Sequence, residues 1–241
     1  MKNKIYSSFF YLLFLSSLLA SEYHEIMDFI SAGKDRVNVN VSEFDCYKVM
    51  DFIRAGGTVT VDQEFDRYEI MDFISAGKDR VNVNVSGFDR YEVMDFISVG
   101  GTVTVDQEFD RYAIMDFISA GKDRVNVNVS EFDRYKVMGF IRAGGTVTVD
   151  QEFDRYEIMD FISVGKDRVN VNVSKFDRYE VMDFISVGGT VTVDQEFDRY
   201  EIMDFISVGK DRVNVNVTEF DRYEVMDFIS AGGTVMPRKK K

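Results

Sequence analysis

Residues that could do chemistry recur in this chain at fixed intervals. Five arginines, Arg36, Arg80, Arg124, Arg168 and Arg212, stand 44 residues apart and each opens a VNVNV run. Acids recur as well. Asp106, Glu108 and Asp110 offer oxygens at i, i+2 and i+4, with copies at Asp62, Glu64, Asp66, at Asp150, Glu152, Asp154 and at Asp194, Glu196, Asp198. Calcium favours such clusters. No glycine turn or closing bidentate Glu follows them, and Asp110 is placed to cap a helix, so they read as solvated loop acids. His24 is the only histidine and Cys46 the only cysteine. No His/Cys metal site, triad or internal disulfide can be assembled from one of each. The GKDR runs follow a helix, whereas a phosphate loop precedes one, and the GxxxxGK[ST] spacing is absent. Paired carboxylates are numerous, but an acidic repeat produces them by chance, and acid–base work needs a pocket. These residues predict a protein that is not an enzyme, with no cofactor and no metal.

The elements that must position these groups are equally periodic. The Phe opening each unit recurs at 44, 65, 88, 109, 132, 153, 176, 197 and 220, in steps alternating between 21 and 23 residues. Such periods mark a repeat array. Phe65 to Ser75 represents the helix of each unit. Asp66 is an N-cap, Glu69 completes a capping box, Phe65 and Ile70 form a staple, and Gly77 supplies a left-handed C′ residue. Ile70, Met71, Phe73 and Ile74 give it one broad apolar side. Two strand types follow in alternation, Arg80 to Ser86 and Thr102 to Asp106, both with strict apolar–polar alternation. Alternating helix and strand implies parallel strands joined by right-handed crossovers.

About ten units can close into a barrel or stay open. A closed barrel fills its interior with bulky apolar side chains, whereas here the face turned from the helices carries Arg, Asn and Thr. Burying those rows unpaired would cost several kcal/mol per unit, so the prediction is an open α/β solenoid. Helices spaced about 8–10 Å apart and strands under 5 Å apart put the parallel sheet on the concave side and the helices on the convex side. That layout is similar to leucine-rich repeat proteins in shape only, since their LxxLxLxxN signature is absent. The candidate contact surface is the polar strand face. Besides the five arginines it comprises Asn38 and Asn40, Asn82 and Asn84, Asn126 and Asn128, Asn170 and Asn172, and Asn214 and Asn216. The shorter units add Thr58 and Thr60, Thr102 and Thr104, Thr146 and Thr148, and Thr190 and Thr192. Concave solenoid faces are extended binding surfaces, so the expected ligand is a protein, peptide or glycan. Asn40, Asn84, Asn128, Asn172 and Asn216 also open N-x-[ST] sequons, which count only in a eukaryote.

The formal net charge is −13, and without the first 20 residues, whose charges are Lys2 and Lys4, it is −15. Such a body repels phosphate backbones, which excludes nucleic acid as a partner. Residues 1–20 place two lysines before a serine-broken apolar stretch and Ala20, the layout of a secretory signal. The expected organisation is therefore a signal peptide (1–20), repeats (21–236) and a basic tail (237–241), with a secreted or cell-surface location and no membrane span after signal removal. Units two and six share Lys48/Arg54 and Lys136/Arg142, so block duplication explains part of their sameness. The functional expectation is a non-enzymatic interaction module. Its alternative is a structural protein whose terminal strands, rich in VNVNV and TVTV, self-associate end to end.

Overall fold

The computed structural model describes residues 21–150 and 152–237. The sequences taken for a secretory signal and for most of the basic tail, 1–20 and 238–241, lie outside those residues. Among the described residues no helix is long and apolar enough to cross a membrane.

The longer units supply strands β1 (Asn38–Asn40), β3 (Val81–Asn84), β5 (Val125–Asn128), β7 (Val169–Asn172) and β9 (Val213–Asn216). The shorter ones supply β2 (Thr58–Val61), β4 (Thr102–Val105), β6 (Thr146–Val149), β8 (Thr190–Val193) and β10 (Thr234–Met236). Between them run α1 (21–33), α2 (Cys46–Ala55), α3 (Arg67–Gly77), α4 (Arg90–Ser98) and α5 (Arg111–Gly121). The series continues with α6 (Arg134–Ala143), α7 (Arg155–Gly165), α8 (Arg178–Ser186), α9 (Arg199–Gly209) and α10 (Arg222–Ala231).

Helices α2 to α10 each start at an Asp N-cap, as the sequence predicts. Asp66 accepts from the Tyr68 and Glu69 amides while the Glu69 carboxylate accepts from the Asp66 amide. Phe65, just outside the helix, packs edge-on against Phe73 with ring centroids 5.2 Å apart. Ile70, Phe73 and Ile74 face the sheet and are buried, as are Val81 and Val83 opposite them. Each such side chain removed from water contributes roughly 1.5–3 kcal/mol. The helix exits differ from expectation. Gly77 is not left-handed (φ −105°); it is glycine because a Cβ there would meet Val81 Cγ2 at 2.7 Å. The left-handed residue is Lys78 (φ 56°), while in the shorter units Gly100 (φ 105°) takes that role.

The sheet is parallel and runs in chain order from β1 to β10. It does not stay open. Val37 bridges Val235 in parallel, and Arg36 donates to the Ile229 carbonyl at 2.8 Å across the same junction. Arg222 of α10 pairs with Asp28 of α1 at 2.7 Å. The structure is therefore a nearly closed barrel of helix–strand units, and the open, leucine-rich-repeat-like solenoid is corrected. Its terminal strands meet each other, which also removes the free edges that end-to-end assembly requires.

The register defines the barrel. Five ladder steps of 20 residues and four of 22 carry position 37 to 225, and the bridge from Val235 to Val37 returns this to position 27. The shear is thus ten for ten strands, which tilts them by about 35° and sets a backbone radius of about 9 Å. Eight strands would just fill with side chains; ten leave a wider lumen. This is why the burial argument against closure fails. The inward Asn and Thr residues are partly or largely exposed, and among the described residues no polar or charged side chain is buried. They also pair, since Thr60 donates to Asn38 at 3.0 Å and Thr104 to Asn82 at 3.1 Å.

Candidate site at the C-terminal mouth of the barrel

Because shear equals strand number, inward side chains from alternate strands share levels, as in (β/α)8 barrels, but with five to a level. From the strand N-termini upward the lumen is lined by the five arginines, then Thr58 and its four counterparts, then Asn38 and its counterparts. Above these come Thr60, Thr104, Thr148, Thr192 and Met236, then Asn40 and its counterparts, and then Asp62, Asp106, Asp150 and Asp194. Met236 replaces a threonine in its level.

The structure thus gathers every predicted strand-face residue into one enclosed lumen, and not onto an open concave surface. The arginines are spent on the fold. Arg80 Nη1 donates to the carbonyls of Ile53 (2.8 Å) and Gly57 (3.1 Å), and Arg124, Arg168 and Arg212 repeat the contact on the units before them. Ile53 lies in the last turn of α2, so the guanidinium joins the Gly56 amide on a terminal carbonyl and faces the negative end of the dipole. The upper asparagines are likewise engaged: Asn40 accepts from the Ser42 amide at 3.2 Å, and Asn84, Asn128, Asn172 and Asn216 do the same in their own turns. Thr58, Thr102, Thr146, Thr190 and Thr234 donate to carbonyls of the preceding KDR turns.

The two ends of the barrel differ in charge. The nine loops from strand to the following helix carry twenty Asp and Glu against the single Lys175. The opposite end carries five Lys-Asp-Arg turns. Hence the C-terminal mouth holds more negative charge than the whole chain shows. In that mouth, beyond β8 and β9, a cavity of about 260 Å³ is lined by Asp194, Gln195, Glu196, Asn216, Thr218 and Glu219. Asp194 accepts from the Glu196 amide at 3.1 Å, and Asn216 from the Thr218 hydroxyl at 2.7 Å, so two walls are held by local turns. The lining offers three carboxylates, two amides and a hydroxyl, with no cation. Around the rim, nine first-turn tyrosines, from Tyr47 to Tyr223, are 76–87% exposed. Among the described residues no group of three His, Cys, Asp or Glu is placed to hold a metal.

Of these lining residues, sequence reasoning named Asn216 as a ligand contact and set Asp194 and Glu196 aside as loop acids. Gln195, Thr218 and Glu219 were missed. The signal available for them was their place directly after a strand, since in closed parallel barrels that end carries the working loops.

No family model matches the chain, and no curated protein matches it. Solved structures do. The muconate cycloisomerase from Pseudomonas fluorescens aligns at 10% identity over 56% of this chain and 45% of that one, with a TM-score of 0.40. The muconate lactonizing enzyme from Pseudomonas fluorescens, complexed with muconolactone, aligns at 8% over 70% and 47%, with a TM-score of 0.41. A mandelate racemase/muconate lactonizing protein from Herpetosiphon aurantiacus aligns at 12% over 74% and 53%, with a TM-score of 0.38. The chain spans about half the length of these structures. The expectation of a non-enzymatic module that binds proteins through an open strand face is corrected by the closure of the sheet, which puts that face inside the barrel.

Proposed function

We propose that this chain is a barrel scaffold whose working site is the C-terminal mouth, and that the site takes a small polyamine-like cation. The observation that carries this reading is the cavity lined by Asp194, Gln195, Glu196, Asn216, Thr218 and Glu219. Three carboxylates accept charge-assisted hydrogen bonds from ammonium groups, while Asn216, Gln195 and Thr218 orient a polar chain between them. An acidic mouth in a low-dielectric frame also raises the local concentration of cations. Any chemistry there would be proton transfer at a carboxylate, the only side-chain acid–base group in the lining.

Calorimetric titration of spermine into the full chain tests this. Asp194→Asn, Glu196→Gln and Glu219→Gln together are expected to remove binding, while Asp79→Asn, Asp123→Asn and Asp167→Asn at the other end leave it intact. Equal weakening by both triple variants would reduce the interaction to net charge and end the site assignment.

A further inference from the structure

The junctions between strands are not equal. Where a shorter unit meets the longer unit after it, three pairs lie in register, as Val59 with Val81, Thr60 with Asn82 and Val61 with Val83. The same three recur from β4 to β5, from β6 to β7 and from β8 to β9. The seam from β10 to β1 belongs to that series, yet among the described residues it shows one bridge, Val37 with Val235. The sequence there departs from the repeat. By repeat position Met236 stands for Thr60 and Pro237 for Val61, and a proline has no N–H for the ladder. Strand β10 is held less on its other side too, because Met236 lacks the hydroxyl with which Thr60, Thr104, Thr148 and Thr192 donate to an asparagine of the strand before. Arg36 repeats the deficit: it donates to the Ile229 carbonyl alone, where Arg80, Arg124, Arg168 and Arg212 each reach two carbonyls.

We infer that the β10–β1 seam is a lateral gate, the line along which the barrel opens, and that ionic strength sets how often it opens. Both strands are anchored on their far sides. Three register pairs tie β1 to β2, and Tyr23 of α1 donates to Asp51 of α2 at 3.3 Å and packs on Phe52. Three pairs likewise tie β10 to β9. Each strand therefore stays with its own neighbour while the line between them parts, as local openings follow the weakest cooperative contacts. In the helix layer Gly33 packs on Ile229 as Gly77 does on Ile53, so the closed state keeps its apolar contact. The polar link across the same layer is the Arg222–Asp28 pair, with both side chains more than half exposed. Salt screens a pair of that kind. A slit at the seam leads sideways onto the inward residues Asn38 and Asn40, without passing through the mouth.

Amide hydrogen exchange on the full chain, resolved by NMR, tests the gate. Thr58 donates to the Val37 carbonyl and Val41 to that of Thr60, so by alternation Val39 faces β2 and Asn38 faces the seam. The gate predicts exchange at Asn38 and Val235 about tenfold or more faster than at Asn126 and Val103, their counterparts between β5 and β4. High salt should speed it further, and Asp28→Asn should reach the same rate at low salt. Val39 should stay as slow as Val127. Met236→Thr with Pro237→Val, which restores the repeat, is expected to slow Asn38 and Val235 together. Exchange at Val39 as fast as at Asn38 would mean that the whole first unit frays from the chain end, and would overturn the gate. Equal rates at Asn38 and Asn126, or a restored repeat that leaves Asn38 unchanged, would overturn it as well. Rates that ignore both salt and Asp28→Asn would remove the control by ionic strength.

Discussion

The two ends of this barrel are built from the same repeat and behave as opposites. At the strand N-termini the charged groups are tied to backbone: each arginine from Arg36 to Arg212 donates to the last carbonyls of a helix one unit back. Glycines pack tightly there, since a Cβ on Gly101 would meet Ile74 Cδ1 at 2.8 Å and the Phe96 carbonyl at 3.1 Å. At the strand C-termini the carboxylates face water, hold their own turns or, as Asp106 and Glu108 do with Ser86 and Gly87, the loop of the unit before, and surround a cavity. One end spends its polar groups on stability and the other leaves them available. The same division between a stabilising face and a working face characterises parallel barrels generally.

Substitutions can break this contrast, and the largest effect belongs to the packed end. Gly101→Val is expected to cost about 3 kcal/mol through overpacking, read from the urea midpoint. Arg124→Ala comes next, at about 2 kcal/mol, because the Ile97 and Gly101 carbonyls lose a charged donor. In the same assay the mouth triple, Asp194→Asn with Glu196→Gln and Glu219→Gln, is expected to change stability by no more than about 0.5 kcal/mol.

A smaller effect sharpens the comparison along the helix layer. Seven Arg–Asp pairs staple neighbouring helices, as Arg67 does to Asp95 at 2.5 Å, and Tyr23 with Asp51 substitutes at the first seam. Two seams lack the staple. Cys46 stands where Arg would face Asp72, and Gly139 stands where Asp would face Arg111. Cys46→Arg should add about 0.5 kcal/mol, as exposed pairs do, and lose it in high salt. Gly139→Asp should add slightly more, because glycine is also a poor helix former.

The smallest effect is one of pH. The Lys48 ammonium and amide hold the Asp45 carboxyl below the usual carboxylate range, and Lys136 does the same for Asp133. A carboxyl depressed in the fold stabilises above its unfolded pKa, and that contribution fades as pH falls through the folded value. Lys136→Glu, the residue of most sibling units, should move the Asp133 titration upward in a carboxyl-carbon NMR series, with little change in overall stability.

Much of this architecture was legible residue by residue. Asp66 with Glu69 announced the helix start, and the VNVNV and TVTV alternation announced strands with one dry face. The direction of curvature followed from helix and strand spacing. Closure was not legible, because it depends on the register step of each ladder and on how many units complete a turn. Neither is written in one unit. The fate of the arginines was hidden for a similar reason: Arg80 reads as a face residue until Ile53 and Gly57 of the preceding unit are placed beneath it. Gly77 does not take its expected left-handed role, which falls to Lys78, and the crowding by Val81 and Ile53 that requires a glycine at 77 appears only once the chain is folded.

Small-angle X-ray scattering of the full chain, extrapolated to zero concentration, tests the closed barrel most directly. Closure predicts a compact particle with a radius of gyration of about 18 Å and a single-peaked distance distribution. A radius well above that value, with a distribution skewed toward long distances, would mean an open array and would contradict the barrel and the mouth built upon it.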